Sequence, residues 1–152
     1  MQVPGRSGDA AAGEQDAQRT VLVRVGAAPA HLPPLRIVAA DLATRADFDL
    51  DSVADLRLAV DEAAAELTAV AAPGALLTGT YLVDDDQMEV TVSVPALPEA
   101  ALRQNTFGWR VLTTLVDEVR VVDGQQDEQP LLGITLCKQR LGRSEEPGAD
   151  GR

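Results

Sequence analysis

Apolar residues along the chain change their spacing from segment to segment, and each change marks an element. Thr20 to Val25 (TVLVRV) is short, β-branched and alternating, which predicts a strand. Ala27 to Pro34 reads as a turn region. Pro33 and Pro34 suit a first helical turn, where a missing amide costs nothing, so a helix is predicted over Leu35 to Ala46. The clearest helix runs from Asp51 to Val70. There Val53, Leu56, Val60, Ala63, Leu67 and Val70 recur at helical spacing and form one apolar stripe. Asp51 or Ser52 is the expected N-cap, and Pro73-Gly74 the stop.

Beyond that helix the period shifts to two. Leu76 to Val83 and Met88 to Val94 flank Asp84-Asp85-Asp86 and predict a hairpin, with Met88, Val90, Val92 and Val94 on one face and Glu89, Thr91 and Ser93 on the other. A third helix is predicted over Thr106 to Leu115, after Pro95 and Pro98. A strand from Glu118 to Val122, a turn over Gly124 to Gln129 and a last strand from Leu131 to Lys138 follow. The order β-α-α-β-β-α-β-β implies an α+β sandwich, helices on one face of a mostly antiparallel sheet. No internal repeat is visible. Residues 1–18 and 141–152 lack periodicity and read as disordered tails, leaving one folded domain over 19–140.

Composition narrows the class. Aromatic residues make up only 3%, so Leu, Val and Ala must build the core. The net charge of −11 argues against direct contact with nucleic acid, which needs a basic patch, and suits a partner with a basic surface. Cys137 is the single cysteine and His31 the single histidine, so neither an internal disulfide nor a zinc cluster is expected. No run approaches the roughly 18 apolar residues of a membrane helix, and a cytoplasmic protein is expected.

The segment Val53 to Glu66, with its text DLRLAVDEA, resembles the N-box helix of GHKL proteins, and specifically the anti-sigma serine kinases of the RsbW type. Gly108 to Val121 (GWRVLTTLVDEVRV) resembles that family's segment after the ATP lid, and Gly133-Ile134-Thr135-Leu136 its final strand. The resemblance spans about residues 20 to 140 and is nearest to the actinobacterial anti-sigma-F factors, which share Phe-x-Trp (here Phe107-Gly108-Trp109) in place of the second glycine box. It implies a GHKL (Bergerat-type) α/β sandwich. It also implies a catalytic Glu that polarises the serine of an anti-anti-sigma (STAS-domain) substrate, and an Asn one turn later that holds magnesium on ATP. An Asp-x-Gly-x-Gly that reads adenine completes the family's site. The partners it implies are an alternative sigma factor, an anti-anti-sigma protein and a second copy of the chain, paired through the N-terminal strand and first helix.

Carried over residue by residue, the resemblance puts Glu62 at the base position and Glu66 at the position of the magnesium-holding Asn. Thr106 and Gly108 stand at the second glycine pair, where only Gly108 keeps the glycine. The Asp-x-Gly-x-Gly is absent, because the strand ending at Val94 runs into Pro95-Ala96-Leu97-Pro98. Only about eleven residues separate that strand from Thr106, too few for a generous lid. Glu66 adds negative charge beside a triphosphate and one turn from Glu62. Like charges so spaced cost roughly 0.2–0.5 kcal/mol on a helix surface, and more in a drier pocket. The opposing view is that two carboxylates make a stronger magnesium ligand set, since hard cations favour oxygen anions.

These residues point to an anti-sigma factor that binds a sigma factor with its nucleotide site eroded, ATP and magnesium not being required. The alternative is an active ATP-dependent serine/threonine kinase acting on an anti-anti-sigma factor. A histidine-kinase ATPase domain fits less well, because no phosphoacceptor helix pair accompanies His31. Plainer roles stand beside these: Glu62 as a solvated residue, Gly108 as a packing glycine, Trp109 as a core anchor, Asp84 to Asp86 as a solvated turn rather than a calcium loop, His31 as a surface loop residue and Cys137 as a packed strand residue. A protein trimmed to residues 19–140 is expected to keep its circular dichroism spectrum and its partner affinity; loss of either would show that the ends contribute to the fold or the interface.

Overall fold

Alternation and helical periodicity translate into structure nearly element by element. The computed structural model describes residues 19–141, so the expected tails, Leu141 apart, lie outside the described residues. Strand β1 (Thr20–Gly26) leads through a short 3-10 turn (Pro29–His31) into α1 (Pro33–Arg45) and α2 (Leu50–Thr68). The hairpin β2 (Leu76–Val83) and β3 (Gln87–Pro95) follows, then α3 (Phe107–Leu115), β4 (Glu118–Gln126) and β5 (Gln129–Gln139). The described strands form one sheet in the order β1-β2-β3-β5-β4, every neighbour antiparallel. The result is an α+β fold consistent with a GHKL-like sandwich.

Register builds the core. Val23, Gly79, Val92, Ile134 and Val121 stand side by side across all five strands, and Val21, Tyr81, Val90, Leu136 and Val119 form the next row. Both rows point to the face on which the helices lie, because successive strand residues alternate faces. Leu56, Val60, Ala63 and Leu67 of α2 seat on this face and are fully buried. Burying each of the Leu and Val side chains contributes about 1.5–3 kcal/mol.

Aromatic scarcity makes Tyr81 the largest fully buried side chain. Its hydroxyl donates to the Leu35 carbonyl of α1 at 2.8 Å, and burial pushes its phenol pKa above the ordinary tyrosine range. Gly79 makes the approach possible: a Cβ there would lie 2.8 Å from Leu35 Cδ2 and 2.9 Å from Tyr81 Oη. The pair fixes α1 on β2 and satisfies the one polar atom of a large buried ring.

Three of the boundaries that differ from expectation do so for a local reason. The N-cap of α2 is Asp49 rather than Asp51 or Ser52, its carboxylate accepting from Ser52 N at 3.2 Å and from Ser52 Oγ at 2.7 Å. Those bonds, the side-chain one foremost, hold the Asp49 carboxyl below its usual pKa. Helix α2 ends at Thr68, before Val70, and Gly74 takes a left-handed φ of 75° two elements of turn later. Strand β4 continues to Gln126, so the predicted turn over Gly124 to Gln129 shrinks to Asp127 and Glu128, with φ of 53° and 65°. Two left-handed residues form the tight connection that matches strand twist, although neither is the glycine that favours it.

Replacing Tyr81 by Phe keeps the ring and deletes the bond to Leu35. Urea unfolding is expected to show a loss of about 1 kcal/mol with an unchanged slope; an unchanged midpoint would mean that the bond adds nothing to the seating of α1.

Candidate functional site

Helix α2 presents different chemistry on each flank. Its stripe faces the sheet, and Asp61 reaches Arg36 of α1 at 3.2 Å on another side. Both members of that pair are partly exposed, so it orients α1 more than it stabilises it. A third flank carries Asp55, Glu62 and Glu66, which recur near the helical repeat and so share a side.

Helix α3 lies along this flank and runs antiparallel to α2. Thr106 caps it, Oγ1 accepting from Trp109 N at 3.1 Å, and Trp109, Leu112 and Val116 turn inward to the core. At its C-terminal end Lys138 Nζ of β5 donates to the Leu115 carbonyl at 2.8 Å and reaches Asp55 at 3.4 Å. A cation at the negative end of a helix is favourable, and here it also ties α3, α2 and β5 together.

The N-terminal end is different. A Cβ built on Gly108 would overlap the Oε2 atoms of both Glu62 and Glu66. Any side chain there would push the ends of both glutamates aside, so glycine lets α3 approach the two carboxylates this closely. Burial, a carboxyl hydrogen bond with Glu62 and repulsion from its charge push the Glu66 pKa up to about 7. Among the described residues no cation pairs with either Glu. Near neutrality Glu66 therefore stands between its protonated and its ionised form.

The sequence-selected residues thus divide. Glu62, Glu66 and Gly108 converge, with Thr106 adjacent as the cap of α3. Trp109 is in the core. Cys137 sits on the uncovered face of the sheet, buried beside Glu89 and Arg120, which pair at 2.6 Å; burial first, then Glu89, pushes its thiol pKa up. His31 is exposed in the 3-10 turn. Asp84 accepts from Asp86 N at 3.0 Å and Gln87 N at 2.9 Å, closing the hairpin turn. Among the described residues no three of His, Cys, Asp or Glu gather as a metal cage.

Sequence reasoning did not single out Lys138 or Asp55. A signal was present: Leu132, Ile134, Leu136 and Lys138 alternate on β5, so the only lysine of the chain continues an apolar face. Two surfaces also went unforeseen. Phe107, 78% exposed, lines a hollow of about 370 Å³ with Arg110, Val111, Thr114 and Leu115. Leu22 of β1 and Ile37 of α1 are each 58% exposed.

No protein-family model matches the chain. It is similar to the Anti-sigma-F factor RsbW of Mycobacterium tuberculosis strain CDC 1551 / Oshkosh, with 37% identity over 137 residues, covering 87% of this chain and 80% of that protein. The protein of the same name from strain ATCC 25618 / H37Rv matches with the same identity and coverage.

The acid pair sets a pH dependence. The folded-state pKa of Glu66 lies above its unfolded value of 4.5, so the native state holds this proton more tightly. That stability is complete below the unfolded pKa and is lost as pH rises through about 7. Glu66→Gln mimics the protonated form. Its stability relative to the parent is expected to grow by ~1 kcal/mol between about pH 5 and about pH 8, after allowance for solvent screening. Parallel urea titrations would show it; a gap independent of pH would remove the pair from the stability of the fold.

Proposed function

The chain belongs to the RsbW family of anti-sigma factors, and from that membership we propose that it binds and sequesters an alternative sigma factor, represses transcription by occupancy, and does so without nucleotide. The membership supplies the partner class. One observation carries the mechanism: the Glu62 and Glu66 carboxylates close on Gly108, where the family resemblance puts the catalytic base, the magnesium-holding residue and a phosphate-side glycine.

Magnesium triphosphate is a poor guest for this arrangement. Two carboxylates that already repel each other, with no cation at hand, add to the charge of the phosphates. Adenine recognition is weakened as well, since β3 runs straight into Pro95-Ala96-Leu97-Pro98. Those residues do not fit the nucleotide and its metal. Release then comes from competition: an anti-anti-sigma (STAS-domain) protein binds an overlapping surface and shifts the equilibrium by its differential affinity. The acidic surface meets basic faces of the sigma factor, so affinity falls with salt.

The acting form in this reading is a homodimer in the cytoplasm. Support comes from β1, the end strand of the sheet among the described residues, where Val21, Val23 and Val25 stay half-buried and Leu22 stands exposed, and from Ile37, exposed on α1. No helix among the described residues is long and apolar enough to cross a membrane. Glu62 favours a second reading, an active serine/threonine kinase, because it keeps the base position.

In vitro transcription with purified sigma factor, polymerase and this protein separates the two. Repression is expected to be equal with and without ATP, and calorimetry is expected to show no micromolar magnesium-ATP binding. Glu66→Asn should raise nucleotide affinity if charge is the main defect; no change would assign the loss to the adenine pocket. Repression that needs ATP, or serine phosphorylation of the anti-anti-sigma partner, would establish the kinase reading instead.

A further inference from the structure

Helix α3 carries more apolar surface than its seat in the core uses. Trp109 and Leu112, with Val116 at the end, turn inward and fix the helix on the fold. Phe107, Val111 and Leu115 recur every four residues on the other side and form a ridge, which lines its hollow together with Arg110 and Thr114. Phe107 is largely exposed, and Val111 and Leu115 are partly so. The Thr114 hydroxyl donates to the Arg110 carbonyl at 2.8 Å, so its polar atom is satisfied within the helix. From the spacing and the charge of this ridge we infer that it is a docking surface for an amphipathic helix of another protein, one that brings apolar residues at helical spacing and a carboxylate for Arg110.

Two features select that occupant. Residues four apart on one helix interlock with the groove between matching ridges of another, the commonest way in which helices pack. The second feature is the sign of the charge. Arg110 is exposed and makes no ion pair among the described residues, and the same holds for Arg103 in the preceding loop. Between Leu97 and Val116 these two arginines stand against Glu99 alone, a positive excess in a chain of net charge −11. A helix turns by about 100° per residue, which places Arg110 and Gly108 on opposite flanks of the ridge. The partner's carboxylate thus meets Arg110 on the side away from Glu62 and Glu66, which lie against Gly108. A second copy of the chain is disfavoured, because a two-fold axis through Val111 sets Arg110 beside its own copy. A membrane surface is disfavoured too, since anionic headgroups repel a chain of this charge.

The inference stands apart from sigma-factor binding and is tested on the full chain at about 150 mM salt. The probes are two synthetic peptides of about 18 residues, long enough to hold helical structure in water. Both carry leucines three and four apart; one has glutamates on its flanks and the other lysines. Amide chemical shifts of the isotope-labelled protein map the contact. The glutamate peptide is expected to move the amides of Phe107 to Leu115, whereas the lysine peptide meets the acidic remainder and leaves α3 unmoved. Phe107→Ala should weaken the glutamate peptide about tenfold, and Val111→Ser gives the same readout from a second position. Arg110→Glu should reverse the choice, so that the lysine peptide takes the α3 site and the glutamate peptide leaves it. Circular dichroism and Trp109 emission report that each variant is folded. Shifts that miss α3, an affinity untouched by these substitutions or an equal response of α3 to both peptides would overturn the docking surface. Self-association of the chain that is lost in Phe107→Ala would assign the ridge to a second copy instead, and Phe107-dependent binding to phosphatidylglycerol vesicles would assign it to a membrane; either result also overturns it.

Discussion

The burial of α2 across the sheet is the constraint from which the remaining arrangement follows. Once Leu56, Val60, Ala63 and Leu67 occupy the rows made by Val92, Ile134, Val90 and Leu136, the rotation of that helix is fixed. Every other residue on it then has an assigned direction, because a helix advances by a constant angle per residue. Asp61 must face α1, and Asp55, Glu62 and Glu66 must face α3. A stripe chosen for hydrophobicity thereby decides where the charges go. The carboxylates at Glu62 and Glu66 meet each other and Gly108 because the opposite side of their helix is in the core.

This makes the contact between α2 and α3 a place of opposed forces. At one end the charges are complementary: Lys138, only 14% exposed in its side chain, finds both a carboxylate and a helix C-terminus. At the other end they are alike, and burial together with Glu62 pushes the Glu66 pKa up to about 7. Packing of Trp109 and Leu112 into the core holds the helix down against that repulsion. Natural sequences keep such conflicts at functional sites and offset them elsewhere. Here the offset is the hydrophobic inner face of α3, and the conflict sits where the family resemblance looks for catalysis.

What the sequence revealed divides along physical lines. Periodicity exposed every described strand and helix, since burial acts on one face at a time and leaves a repeat in the text. The Met88 to Val94 alternation is buried and half-exposed in strict turn. Capping was less legible. Asp49 and Asp51 are equally good caps by type, and Leu50, 84% exposed, gave no sign that the helix had begun. The tight turn at Asp127 and Glu128 was hidden because neither residue is glycine. The site was half legible: the resemblance brought out Glu62, Glu66 and Gly108, but no pattern could say that the glycine stands against the two acids. That contact joins residues more than forty positions apart, and Lys138 meets Asp55 across a separation of 83. Pairings of that range are fixed by topology, which a one-dimensional pattern does not carry.

The proposed mode of action gains coherence from this geometry. A kinase of this family needs a cation-bridged phosphate beside its base; this chain offers a protonatable acid pair instead. An inhibitor that works by occupancy has no such need. It requires one surface with higher affinity for the sigma factor than the polymerase offers, and a second state, or a competitor, that removes it. The outer side of α3 is open to such a contact, with Phe107 78% exposed. Phe107, Arg110 and Val111 ride on the outer face of that helix. A partner that gripped them would hold the same helix that seats Gly108 against Glu62 and Glu66, and any effect of the acid pair on the partner's affinity would be returned in equal measure, as linkage requires.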